Sequence, residues 1–217
     1  MGLGSFVLDL LFPPKCAFCR RVVRHGADRL CPDCRAALPY AGAEGEKHGD
    51  GFSVCYAALY YEGQVRDSLH RYKFQGSSGY AGTYGRLLAD CVRENLAGRY
   101  DLISWVPLSR ERLRERGYDQ SMLIAQAMAL ELQDVAVSTL DKVRDVAKQS
   151  TVGSAEKRRA NISGAYRVTD PELVAGRRIL LIDDIVTTGA TLSECACTLR
   201  AAGAADVVCA AVARTRD

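Results

Sequence analysis

The chain has 217 residues, 48% of them hydrophobic and 25% charged, enough apolar material for one full domain and a small appendage. That composition excludes a disordered chain, a collagen and a pure coiled coil. Lys plus Arg number 29 against 26 Asp plus Glu, a net charge of +3, so any surface basic enough to draw nucleic acid or membrane must be local.

In chain order, the first apolar stretch runs from Phe6 to Phe12, contains Asp9, and falls well short of the ~20 residues that cross a bilayer. It reads as an amino-terminal helix of a cytoplasmic protein with no membrane insertion. Cys16, Cys19, Cys31 and Cys34 follow as C-x2-C-x11-C-x2-C, the ligand spacing of a closed, four-thiolate Zn2+ site in which each short pair turns two sulfurs toward one metal. Disulfides and a redox pair are the alternatives, but the nine cysteines are an odd number, which argues against a fully paired secreted framework. Cys55, Cys91, Cys195, Cys197 and Cys209 lie in apolar surroundings and read as small buried hydrophobes.

Ala41 to Gly51 is rich in Gly and charge without apolar periodicity, which predicts a linker over 41–51 between a metal module, 1–40, and a larger domain, 52–217. Within that domain Phe52 to Tyr61 patterns as a strand, Gln64 to Tyr72 as a short helix, and Tyr84 to Leu96 as an amphipathic helix with Leu87, Leu88 and Cys91 on one face. Asp101 to Leu108 is strand-like, Ser121 to Leu132 helical, Arg177 to Ile182 a buried strand, Leu192 to Ala202 a helix and Ala205 to Ala213 a last strand. Alternating strands and helices predict an α/β fold, a mainly parallel sheet flanked by helices, with ligands at the carboxyl ends of the strands.

One segment concentrates the chemistry. From Ile179 to Leu192 the chain reads ILLIDDIVTTGATL: a buried strand, two carboxylates, then hydroxyls and a glycine opening a helix. Asp183 and Asp184 suit sugar hydroxyls or a hard cation such as Mg2+. Thr187, Thr188, Gly189, Ala190 and Thr191 suit a phosphate, because helix-start amides point at an anion there and glycine leaves room for it. Together they describe a cradle for a ribose 5-phosphate; the alternative is an ordinary strand, turn and helix with surface acids.

Ile179 through Thr191 resembles the thirteen-residue phosphoribosyl pyrophosphate (PRPP) signature of type I phosphoribosyltransferases. With the four-cysteine module in front of it, the chain resembles, nearly end to end, the ComF-type, amidophosphoribosyltransferase-like family associated with DNA uptake in natural competence. That resemblance implies a type I phosphoribosyltransferase fold carrying a zinc-ribbon-like module. Tyr72, Lys73, Phe74 and Gly76 resemble its Y-K-F-x-G segment, which would bring Lys73 to the phosphates; a solvated lysine between core aromatics is the other reading. Trp105 to Gln120 resembles its strand and pyrophosphate loop, which would offer Arg110, Arg112, Arg114 and Arg116 to the leaving group. Alternating Arg and Glu also fit a salt-bridged solvated helix face. Arg144 to Asn161 resembles the ligand-covering segment. The sequence departs from the family pattern at Asp119, where Asn is expected, and near Val146, where Thr is expected.

The implied activity is transfer of phosphoribose from PRPP, with Mg2+, to an acceptor the sequence does not identify. Asp183 and Asp184 would orient the ribose at the catalytic centre. The alternative is a non-catalytic, PRPP- or nucleotide-responsive module of the DNA-uptake machinery that contacts other competence proteins or single-stranded DNA. The cysteine module carries Lys15, Arg20, Arg21, Arg24 and Arg29 but only Phe18 as a stacking face.

Overall fold

The protein is seen in a computed structural model that describes residues 13–23, 29–144 and 164–216. The expected amino-terminal helix, Arg24, and the covering segment beyond Arg144, Val146 included, lie outside the described residues. In chain order the elements are α1 (Pro32–Ala37), β1 (Lys47–Gly49), β2 (Phe52–Tyr60), α2 (Gly63–Phe74), α3 (Ala81–Asn95), β3 (Leu102–Trp105) and α4 (Arg110–Arg116). They continue with α5 (Gln120–Leu132), β4 (Leu140–Lys142), β5 (Tyr166–Val168), α6 (Pro171–Val174), β6 (Arg178–Val186), α7 (Ala190–Ala201) and β7 (Asp206–Arg214).

The main sheet has five strands in the order β1-β2-β7-β6-β3, with β2, β7, β6 and β3 parallel and β1 antiparallel at the edge. β6 and β7 sit at its centre, and Ile179 to Ile182 and Val207 to Ala213 are closed from water on both faces. That is why these segments read as continuous apolar runs rather than alternating ones. Leu180, Ile182, Val208, Ala210 and Val212 share one core with residues of α2, α3 and α5. Ile179, Leu181, Val207, Cys209 and Ala211 share the other with α7, α6 and β5. The α3–α5 crossing is close because Gly85 has no side chain: a Cβ there would stand 2.6 Å from Ala127 Cβ.

Several expectations are corrected. The 41–51 segment is built into the sheet: Gly42–Gly45 forms a 3-10 turn and Lys47–Gly49 pairs with β2. Its backbone is held by side chains, not by an apolar face, so hydrophobic patterning could not reveal it: Arg214 Nη1 donates to the Glu44 and Glu46 carbonyls at 2.9 Å each. The arginine-rich segment after β3 is the helix α4 rather than an open loop, capped by Ser109 at its start and by left-handed Gly117 at its end. β4 and β5 form a separate antiparallel pair. Cys197 is exposed, whereas Cys55, Cys91, Cys195 and Cys209 are buried as small apolar side chains.

The cysteine module packs directly on α2 and α3. Cys16, Ala17 and Phe18 are buried within the core that α2 and α3 share. The Ser68 hydroxyl donates to Ala17 O at 2.5 Å, and Arg71 Nη2 donates to Ala17 O and Phe18 O at 2.9 and 2.8 Å.

Candidate functional site

β6 continues in register with β7 through Asp183 to Val186, so both acidic residues belong to the strand and not to the turn after it. Asp184 faces the α2 side. There Lys73, on the last turn of α2, places its ammonium 2.9 Å from Asp184 Oδ1, with 20% of the lysine side chain exposed. Lys73 is therefore an inward-facing, paired cation and not a solvated one. Asp183 accepts from the Ser121 hydroxyl at 3.1 Å and from the Asp184 amide at 2.8 Å. Burial and the neighbouring Asp184 charge push its carboxyl up to about 7, against the opposing pull of Lys73 and these two hydrogen bonds.

Asp119 lies beside this pair and has a structural use. It caps α5 by accepting from Met122 N at 3.0 Å, and its other oxygen accepts from Leu108 N at 2.9 Å, tying the strand exit to the helix start. Burial raises its pKa, the two amides lower it, and the Asp184 charge raises it again. The net direction is upward.

The turn after β6 opens α7 through a left-handed glycine. Gly189 caps α7 with φ +78, and the nearest atom to a Cβ built there is 3.9 Å away, so backbone conformation and not crowding requires glycine. Thr187 and Thr188 are exposed, while Ala190 and Thr191 are half-buried in the first turn of α7. The Lys47 ammonium reaches this loop from β1 and donates to Thr187 O at 2.9 Å.

The four arginines of α4 divide between two faces, because residues two apart are ~200° apart around a helix. Arg112 and Arg116 are half-buried; Arg116 donates to Gln120 Oε1 at 2.6 Å and lies 5.1 Å over the Phe74 ring. Arg110 and Arg114 are exposed, and Arg110 borders a cleft of about 540 Å³ with Lys142, Arg144 and Arg167. Among the described residues none of the four pairs with a carboxylate, so α4 is not a salt-bridged face. Ser121 and Lys47 escaped sequence reading: Ser121 lies inside a predicted helix, and Lys47 gains its position only through the pairing of β1.

The cysteines form a second centre. Their sulfurs lie within 4.8 Å of one another, and Cys19 Sγ and Cys31 Sγ are 3.6 Å apart. Zn–S bonds of ~2.3 Å give a tetrahedron edge of about 3.8 Å, so the donor set fits zinc. Cys34 N donates to Cys31 Sγ at 3.4 Å, as suits a thiolate ligand. At Cys19 burial acts to raise the pKa, but hydrogen bonds from Arg21 prevail and bring it down to about 6.

Comparison with known proteins finds a domain model over each part of the chain. A phosphoribosyl transferase domain model matches residues 119–217, and a double zinc ribbon domain model matches residues 7–55. The DNA utilization protein YhgH of Salmonella typhi is 33% identical over 214 residues, covering 92% of this chain and 90% of that protein. The chain belongs to the ComF family. Another relative, competence protein F of Haemophilus influenzae, is 27% identical, with 89% of this chain and 93% of that protein covered. A glutamine PRPP amidotransferase structure from B. subtilis matches 63% of this ComF-family chain and 26% of its own, at 23% identity and a TM-score of 0.42. Among the described residues no helix is long and apolar enough to cross a membrane.

Proposed function

We propose that this ComF-family chain binds PRPP with Mg2+ at the carboxyl end of β6 and transfers its phosphoribosyl group to an acceptor, releasing pyrophosphate. The observation that carries the reading is the sequence of groups along one strand and turn: Asp183 held by Ser121, Asp184 held by Lys73, then left-handed Gly189 opening α7. Asp183 and Asp184 orient the ribose hydroxyls. Thr187, Thr188, Gly189, Ala190 and Thr191 take the 5-phosphate through hydroxyls and helix-start amides. Lys73, Arg112 and Arg116 face the pyrophosphate, with Arg110 and Arg114 nearer the rim. Mg2+ supplies further charge neutralisation to the pyrophosphate.

Transfer breaks the bond from the anomeric carbon to pyrophosphate and forms one to the acceptor. The electron pair leaves with pyrophosphate, and the sugar passes through an oxocarbenium-like centre. Such a step needs positioning and charge stabilisation rather than a side-chain nucleophile. The names of the relatives support a setting in DNA uptake or utilization. We place the chain in the cytoplasm, where the four-thiolate zinc set stays reduced.

A second reading is a PRPP-responsive binding module that contacts single-stranded DNA or a protein partner. The exposed Arg110 and Arg114 favour it, Arg110 at a cleft lined also by Lys142, Arg144 and the Arg167–Asp141 pair. Calorimetry with PRPP and Mg2+ tests the shared core: wild type binds, and Asp183→Asn with Asp184→Asn loses binding. Pyrophosphate release against a panel of bases and single-stranded DNA then separates enzyme from module. Unchanged or tighter PRPP binding by the double variant overturns both readings.

A further inference from the structure

The phosphate cradle has a charge problem that its own motif does not solve. From Ile179 to Leu192 there is no Lys or Arg, while Asp183 and Asp184 stand a few residues before the loop. A dianionic phosphate there gains from amides and hydroxyls, but the motif brings no cation to it. Lys73 pairs with Asp184, at the ribose and pyrophosphate end of the proposed site. The needed cation comes from a distant part of the chain.

We propose that Lys47 is a phosphate-binding residue of this site, joining the Thr187–Thr191 loop at the 5-phosphate; the inference rests on the PRPP reading and deepens it. The placement follows from strand register. Lys47 is the partner of Cys55 on β2, and directly paired residues project to the same face. The Cys55 side chain belongs to the core beneath α7, so Lys47 is directed to the side where α7 begins. Its neighbour Glu46 turns the other way: it accepts from Tyr56 Oη at 2.9 Å and lies 2.8 Å from His48 Nε2. The alternation thus sends the cation toward the loop and the carboxylate away from it.

Two further contacts fix the reach. Lys47 Nζ is 2.9 Å from Thr187 O, and Lys47 Cε is 4.0 Å from where a Gly189 Cβ would stand. Arg214, buried at 5% exposure, holds the Glu44 and Glu46 carbonyls, so the lysine stem starts from an anchored backbone. Anchoring reduces the side-chain and backbone ordering that phosphate capture would otherwise cost.

The test is calorimetry with two probes, ribose 5-phosphate and PRPP, each with Mg2+, on wild type, Lys47→Gln, Lys47→Arg and Arg112→Gln. Lys47→Gln keeps a donor for the Thr187 carbonyl but removes the charge, and should weaken both probes about tenfold or more. Lys47→Arg should stay within a few-fold of wild type. Arg112→Gln should weaken PRPP only, which marks the Lys47 effect as one at the 5-phosphate. If Lys47→Gln binds ribose 5-phosphate as tightly as wild type, or Lys47→Arg is as weak as Lys47→Gln, Lys47 does not bind the phosphate. If wild type binds neither probe, the PRPP reading falls and this inference falls with it.

Discussion

Lys73 Nζ lies 2.9 Å from Asp184 Oδ1 in a position where only 9% of the aspartate side chain meets solvent. Because Lys73 closes α2 and Asp184 lies near the end of β6, this one contact ties the α2 layer to the strand that carries the acidic pair. Removing one partner of such a pair costs more than the pair contributes, since the other charge stays behind without compensation. Lys73→Met should therefore lower stability by about 3 kcal/mol, read as a shift in urea midpoint. Lys73→Met with Asp184→Leu should recover part of that loss.

Asp183 makes stability depend on pH. Its folded-state pKa is raised by burial and by Asp184 to about 7, above the ordinary carboxylate value. A raised acid holds its proton in the folded protein after the unfolded chain has lost it, so stability falls as pH climbs from ~4 through about 7. Asp101, held down to about 2 chiefly by its hydrogen bonds from Arg178, acts in a lower window and does not mask this. Urea midpoints of the zinc-loaded protein should be lower at pH 8 than at pH 5.5, and Asp183→Asn should flatten the difference. A midpoint that rises with pH in wild type would contradict the assignment.

Zinc should stabilise much more than its own loop. The carbonyls of Ala17 and Phe18, one and two residues past the first ligand, accept from Ser68 and Arg71 on α2, and the Phe18 ring meets Tyr84 edge-on at 6.2 Å between centroids. Independent folding of 52–217 is what the linker pattern suggests, yet this packing makes α2 depend on the module. Chelation should lower the melting temperature by roughly 10 °C in one transition. It should also weaken PRPP binding through Lys73. A Cys31→Ser, Cys34→Ser variant that melts like wild type and keeps its zinc would overturn both expectations.

Gly189 separates conformational from steric demand. With φ +78 and no atom within 3.4 Å of a built Cβ, Gly189→Ala meets no clash but forces an L-residue into the left-handed region. The cost should be about 1 kcal/mol. If the turn relaxes to avoid it, the amides that start α7 turn with it, and PRPP affinity should fall about tenfold for that reason. A variant with wild-type affinity would mean the amides are not the phosphate donors.

The sequence made the sheet and its acidic strand legible because β6 and β7 are buried on both faces and carry unbroken apolar runs. Lys73 was found only through resemblance, since a lysine at a helix end has no periodic signature. Lys47 and β1 were hidden for a physical reason: the segment is fixed by Arg214 and by pairing with β2, and neither leaves a hydrophobic pattern. The arginines of α4 were visible as residues but not as two faces, because Ser109 and Gly117 make the helix through capping, with no buried residue on it.

Those two faces allow the proposed PRPP contact and a DNA contact to be tested separately. Arg112 and Arg116 are half-buried on the side of Phe74 and Gln120, whereas Arg110 and Arg114 are exposed, Arg110 at the cleft with Lys142 and Arg167. Arg112→Gln with Arg116→Gln should weaken PRPP by about tenfold or more, since each removes the charge-assisted contact to pyrophosphate proposed for it. Arg110→Gln with Arg114→Gln should leave PRPP nearly unchanged. If the outer face binds single-stranded DNA, each phosphate contact contributes about −0.7 to the slope of log K against log salt, so the outer pair of substitutions should reduce its magnitude by about 1.4. Saturating PRPP should then compete with DNA little or not at all. A PRPP effect from the outer pair equal to that of the inner pair would show that α4 turns in solution to present all four arginines to one ligand. A DNA slope unchanged by the outer pair would remove this helix from any nucleic-acid surface.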